Sequence, residues 1–484
     1  MNARPHTHTT SQASPGGVAL PGIPVPLSRL VTEGKVLALG VSDYAEVAAA
    51  CDEVGARLRG PTPAYNRWFP RTRTTPTMRS PATMTADDDT AIPLTDGRLR
   101  ARPGDPGLQE AFLPAPAVQN HAANLTVLPA GDLGCVWFGG TQEGVPDISV
   151  WLSRLAPGAD TWTEPVRLSD DGTRSEQNPL LFPTPAGELW LLYTAQRAGD
   201  QDTAEVRLRV SADAGATWGA PRTLFPATEA GGVFIRQPVA VLDSGRWLLP
   251  VFHCVATPGV TWVGDRDTSA VMISDDQGRT WRERPVPGST GCVHMNVHQL
   301  PDTTLLALFR SRWADAVYRS HSTDGGETWS EPVRTELPNN NSSVQYVPLA
   351  DGRLALVYNH SSRADATARR VSLYDEIDAE GRTGETPAPA ATPDDSAPGA
   401  FWGAPRAPMT LALSSDHGLT WPVRRDLDTG DGHCLTNNSR DRLNRELSYP
   451  TIRQGADGTL HIAYTYHRQA IKYVRVAPDW AADG

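Results

Sequence analysis

Four stretches of the chain spell the same eight-residue phrase, Ser-x-Asp-x-Gly-x-Thr-Trp, and nothing else narrows the possible folds so far. They run from Ser211 to Trp218, Ser274 to Trp281, Ser322 to Trp329 and Ser414 to Trp421. A degenerate fifth, from Ser153 to Trp162, keeps Asp160-Thr161-Trp162. Each position has a physical task. The Asp carboxylate accepts N–H bonds within a tight turn, and Gly permits a positive φ. Thr and Trp lead back into a strand, where the indole covers the sheet edge. Fourteen Trp against nine Phe is a surplus that such a repeated role explains.

A second repeat is independent of the first. Six apolar strands each follow a turn signal, at Gly131-Asp132, Gly187-Glu188, Gly245-Arg246, Asp302-Thr303, Gly352-Arg353 and Gly458-Thr459. The first four signals lie roughly 57 residues apart, the size of a four-stranded blade. The last gap is longer and holds a Pro/Ala/acidic low-complexity stretch, Glu380 to Ala400, expected to be a disordered insertion over about 378–400. With that stretch set aside, six units remain. The chain is predicted to be all-β, a six-bladed β-propeller over 111–478. Residues 1–110 are predicted to be a partly disordered N-terminal extension with one short helix, Asp43 to Leu58.

Composition removes several functions. A formal net charge of −11 argues against sequence-independent binding to nucleic acid, which needs a basic face. Cys51, Cys135, Cys254, Cys292 and Cys434 are scattered, with no Cys-x-x-Cys pair, so no zinc site or disulfide framework is suggested. No other spacing implies a metal or cofactor. No run approaches the length of a membrane span, and the N-terminus has no apolar stretch of signal-peptide type. The expectation is a cytoplasmic protein without a membrane partner.

In a propeller the innermost strand of each blade lines the axis. Aligning the six units on their turns predicts a column of polar residues there, Asn124, Asn178, Gln237, Asn296, Ser343 and Tyr449. One to three residues upstream stand His121, Glu176, Arg236, His294 and Asn341. Polar side chains converging on one cavity suit a hydroxyl-rich ligand.

With these motifs in place, residues 115 to 475 resemble the sialidase superfamily, the BNR-repeat or Asp-box proteins. The resemblance implies three arginines that clamp a substrate carboxylate, a Tyr–Glu nucleophile pair and an Asp acid. Arg310, in L-L-A-L-F-R, matches the second arginine, and Arg406, in P-R-A-P-M-T, matches the third. Tyr449, in L-S-Y-P-T-I, falls where the nucleophile is expected, and Asp147, in P-D-I-S-V-W, is a looser match for the acid. Two positions depart from the pattern. Asn120-His121-Ala122 stands where the first arginine belongs, and His294-Met295-Asn296 where the glutamate belongs.

The chain is also similar to propeller enzymes that act on rhamnosyl-glucuronate ends of plant polysaccharides, which use an active-site histidine. That likeness implies Arg236, Arg310 and Arg406 holding a uronate carboxylate, with His121 or His294 as base and Tyr449 delivering a proton to the leaving oxygen. Gln237, Asn296, Asn124 and Asn178 would then contact substrate hydroxyls. The expected partner is an acidic oligosaccharide or polysaccharide. Cleavage of a terminal glycosidic bond, lyase-type β-elimination and non-catalytic glycan binding all remain open at this stage.

Overall fold

A computed structural model describes residues 94–259, 262–370, 399–434 and 442–482. The expected helix at Asp43 to Leu58 and most of the expected insertion lie outside the described residues. Six antiparallel sheets, each of four strands or more, follow one another along the chain, as the repeats require. Their inner strands are Gln119–Val127, Ser175–Pro183, Gly231–Phe234, Cys292–Gln299, Gln345–Pro348 and Leu447–Gln454. The last of these packs against the first, which closes the ring. The fold is a six-bladed β-propeller.

Apolar faces of neighbouring blades supply the core. Between the first two blades, Val136, Val150 and Leu152 pack on Leu181, Leu191 and Tyr193. Trp190 and Trp247 meet edge to face across the next junction. Each strand is therefore buried on both sides, which is why these segments read as nearly continuous apolar runs rather than as an alternation.

The octets occupy the turn between the third and fourth strands of blades two to five. In the first, Asp213 Oδ1 accepts the Thr217 N–H at 2.8 Å, and Oδ2 accepts the Thr217 hydroxyl at 2.6 Å. Asp276, Asp324 and Asp416 repeat this pairing with Thr280, Thr328 and Thr420 at 2.9 and 2.6 Å. Blade one carries the degenerate version. Blade six has none, because its outer strands come from elsewhere in the chain.

That difference corrects the boundary drawn near residue 110. Arg100–Arg102 and Asp105–Phe112 are the outer strands of the last blade, and Leu108 to Phe112 pair with Val476 to Lys472. The segment shows no clear periodicity of its own, because it is completed by a partner some 370 residues later. Its location also removes the turn in which a sixth octet would have stood.

Strand direction then sorts the connections. Inner strands run from one end of the ring to the other, so all the turns after first strands and all the octets lie at the same end. Loops joining second to third strands, and blade to blade, gather at the opposite end. The polar positions singled out in the sequence begin there.

Candidate active site

The inner strands share a distortion at this end. Pairing to the second strand slips between His121 and Asn124, Gln177 and Leu180, Val293 and Asn296, and Ser448 and Thr451. At each slip one residue has positive φ: Ala122 (62°), Asn178 (49°), His294 (55°) and Tyr449 (50°); Asn341 (59°) has it ahead of the inner strand of blade five. A left-handed backbone is unfavourable for His and Tyr, so its recurrence marks a geometry the fold enforces.

These bulges correct the predicted column, which joined two layers. Asn178 and Tyr449 stand at the bulge, level with His294, whereas Asn124 and Asn296 lie two residues deeper, where blade five has Gln345 rather than Ser343. Ala122, Asn178, His294 and Tyr449 each stand nine residues before the positive-φ residue of the following turn, Gly131, Gly187, Thr303 and Gly458, so the column combined residues at different distances from the turn. In the deeper layer Gln237 donates to Ser343 Oγ (3.3 Å) and the Val344 carbonyl (2.8 Å), and Asn296 accepts the Tyr346 N–H (2.8 Å). These side chains bond blade to blade.

At the bulge layer the groups cluster around Tyr449. The Arg310 Nη1 donates to its hydroxyl at 2.6 Å and lies 3.4 Å from His294 Nε2, while Arg310 Nε donates to Asn341 Oδ1 at 2.8 Å. A guanidinium only donates, so His294 Nε2 is the acceptor and its proton sits on Nδ1, which is buried without a partner. His121 lies on the other side of the phenol, its ring centroid 4.4 Å from that of Tyr449. Its Nδ1 is 2.8 Å from the Thr465 hydroxyl, and its Nε2 is buried and unpartnered.

Burial, reinforced by Arg468 and Arg406, pushes the His121 pKa well below the usual imidazole value. Burial, then Arg310 and Arg312, does the same for His294. Both rings are neutral near pH 7. Arg310 has no carboxylate partner among the described residues, and burial, with Arg312 and Arg406 nearby, drags its pKa down to about 9. Such a cation is held at a cost that an incoming anion would relieve.

Arg406 is organised differently. Its Nη1 lies 3.3 Å from Glu446, which also accepts from Arg468 Nε at 2.8 Å and from the Ser448 hydroxyl at 2.9 Å. Burial opposes ionisation of Glu446, but Arg468 and then Arg406 prevail and hold it at about 2. Arg468 reaches on to Glu143 at 2.7 Å, tying the last blade to the first. Glu446, Arg468 and Glu143 went unnoticed in the sequence. The only available signal was R-E-L-S-Y-P, charge placed immediately before a buried strand.

Two expected residues sit elsewhere than the resemblance implies. Arg236 crosses the axis and spends its Nη donors on the backbone carbonyls of Ala122, Ala123, Tyr449 and Pro450, at 2.9 to 3.4 Å. It braces the bulges from beneath the Tyr449 ring, 5.2 Å from the ring centroid. Asp147 is exposed and accepts the Thr141 N–H at 3.1 Å, capping its own hairpin. Arg312, just past the strand end at Ser311 where the chain turns, bonds Asp267 at 2.7 Å.

The cavity at this end, lined by Asn341, Arg406, Phe401, Trp402 and Cys434, has a volume of about 10 Å³, room for one water. A larger cavity of about 470 Å³ opens at the octet end, between blades one and two. Its Arg209 gives its donors to the backbone carbonyls of Gly219, Leu168 and Trp218, while Arg154 bonds Asp132 and the Ala214 carbonyl, and Arg167 bonds the Ser169 carbonyl and the Ser149 hydroxyl. No cluster able to hold a metal occurs among the described residues.

Residues 131–462 match the BNR repeat-like domain. The chain belongs to that family. No curated protein matches it. In structure this BNR repeat-like chain is similar to a Hadza microbial sialidase, Hz136, with a TM-score of 0.53 and 15% identity over 75% of this chain and 66% of that one. It therefore spans just under two thirds of that sialidase's length. A Dyadobacter fermentans protein of unknown function gives a TM-score of 0.54 at 16% identity, covering 76% of this chain and 99% of that one. A leech intramolecular trans-sialidase, complexed with 2,7-anhydro-Neu5Ac, gives 0.53 at 12%, covering 76% and 69%. At such identities the likeness establishes the fold alone.

Proposed function

We propose that the chain cleaves a terminal glycosidic bond in an acidic glycan, with the sugar carboxylate bound at Arg310 and Arg406. The observation that carries this is Arg310: a buried cation with only neutral partners, bonded to Tyr449 and flanked by a neutral histidine. A carboxylate supplies the missing charge and takes up bidentate bonds that neither water nor a neutral sugar offers. An acidic sugar bound to one sialidase of similar fold agrees with this substrate class.

His121 and His294, uncharged at neutral pH, serve as proton acceptors. Tyr449 exchanges a proton at its hydroxyl, where the Arg310 N–H stabilises developing negative charge. Asn124 and Asn178 have buried side-chain atoms without protein partners and are assigned to sugar hydroxyls or to the water that replaces them.

A second reading, β-elimination from a uronate, is favoured by the two imidazoles, since Tyr449 has no bonded carboxylate to activate it as a nucleophile. In that reaction the arginines neutralise the carboxylate and acidify the adjacent proton. A histidine removes that proton, and the 4-linked sugar departs with the proton of Tyr449. One pair of assays separates the readings: fluorophore release from a 4-methylumbelliferyl sialoside, and the ultraviolet absorbance of an unsaturated uronate formed from gum arabic. The first signal supports hydrolysis of a sialoside and the second supports elimination. Silence in both, with glycan binding retained, removes catalysis and leaves a binding propeller.

A further inference from the structure

The cavity bounded by Asn341, Trp402, Arg406 and Cys434 admits one water, and two of its lining residues touch the cluster around Tyr449: Asn341 accepts from Arg310, and the Arg406 guanidinium lies 5.7 Å from the Tyr449 ring centroid. What closes it is a short run of chain, Gly399–Ala404, in the loop between the second and third strands of blade five. Its carbonyls accept from Arg369 Nη2 at Ala400 (2.9 Å), from Asn341 Nδ2 at Phe401 (2.9 Å) and from the Arg370 N–H at Trp402 (3.0 Å). The Ala400 N–H donates to Asp265 Oδ1 at 2.6 Å, the Phe401 N–H to the Arg312 carbonyl at 2.8 Å, and the Trp402 indole to the Val263 carbonyl at 3.0 Å.

Trp402 is the centre of this strap. It is buried, and it faces two guanidiniums, Arg312 at 5.2 Å and Arg310 at 5.8 Å from its ring centroid. Arg312 is already neutralised by Asp267, and Trp262 packs on its other side at 5.3 Å. Arg310 has no such anion. Its electron-rich neighbours are the ring faces of Tyr449 and Trp402. An aromatic face is a weaker partner for a guanidinium than a carboxylate is.

We propose that Trp402 is a specificity-determining gate, a stand-in for the ligand that shields Arg310 until a carboxylate-bearing sugar displaces it. A neutral sugar brings nothing better than the ring it would replace, so the strap stays shut against it. The proposal rests on the axial pocket being the ligand site, and its test does not depend on turnover.

Cys434 lines the same cavity and is a buried thiol, so its alkylation reports opening of the strap. Full-length protein would be treated with iodoacetamide at fixed pH and the modified peptides quantified by mass spectrometry, with buried Cys254 as internal control. Trp402→Ala should raise the Cys434 rate at least several-fold and leave Cys254 unmoved. Asp265→Ala, at an exposed residue fastening the strap from outside, should raise it by less. Equal rates in wild type and both variants would overturn the gate. Added glucuronate tests the site separately. Faster labelling in the variants without any glucuronate effect keeps the gate and removes the acidic ligand.

Discussion

At one end of the ring, Asp213, Asp276, Asp324 and Asp416 make the same bonds to the threonine four residues on. At the other, five positions of positive φ carry Ala122, Asn178, His294, Asn341 and Tyr449, no more than two of them alike. The backbone repeats at both ends; only the side chains differ. Repetition at the octet end answers a local need, satisfying the donors of a tight turn within eight residues. At the bulge end five of the six blades carry residues of four different kinds. Symmetry there brings the groups together without specifying any of them.

The strongest way to break this contrast is at Arg310. Arg310→Met should lower kcat/KM by about 10²–10³-fold, the usual effect of losing one donor to developing charge. It should leave Tm unchanged or raised, because an uncompensated buried cation disappears. Undiminished activity on whichever substrate is turned over would remove Arg310 from the site. Glu446→Gln should act in the opposite sense on the fold. It leaves Arg406 and Arg468 buried without their shared carboxylate, at a cost of about 3–5 kcal/mol in urea unfolding.

Acid should sharpen the difference. Below about pH 6.5 the histidines of the unfolded chain take up protons while His121 and His294 remain neutral, so the unfolded state binds more protons and stability falls. A second decline starts near the unfolded glutamate value of about 4.3 and is complete as Glu446 protonates near 2. Urea midpoints measured across pH should show both, and His121→Asn should flatten the first. The smallest effect is expected at the octets. Asp324→Ala should lower Tm by no more than about 2 °C and leave kcat/KM as it was, since its bonds are confined to one exposed turn. A large loss of activity there would end the division between the two ends.

What could be read from the sequence follows the same division. The octets are legible because their bonds close within a few residues, and four copies exclude chance. Tyr449, Arg310, Arg406, His121 and His294 were also within reach, since each is a polar residue in or beside a strand whose neighbours are apolar. They do gather around one phenol. The layering was legible in four blades, since Ala122, Asn178, His294 and Tyr449 each stand nine residues before the turn residue, but the bulge itself was not, because it changes direction without changing composition. Nor were Arg468 and Glu143, which meet only because two loops far apart in sequence share one end of the ring. The strand at Asp105–Phe112 was hidden for a related reason: its pattern makes sense only beside Ala470–Val476.

That seam has a consequence for how the protein comes into being. His121 belongs to the first blade to be synthesised and Tyr449 to the last, yet their rings touch across the junction sealed by the early strand. A nascent chain carrying five finished blades therefore holds an octet end that is already complete and a pocket that does not exist. The pocket takes shape only when Ala470–Val476 pairs with Asp105–Phe112 and the last blade closes on the first.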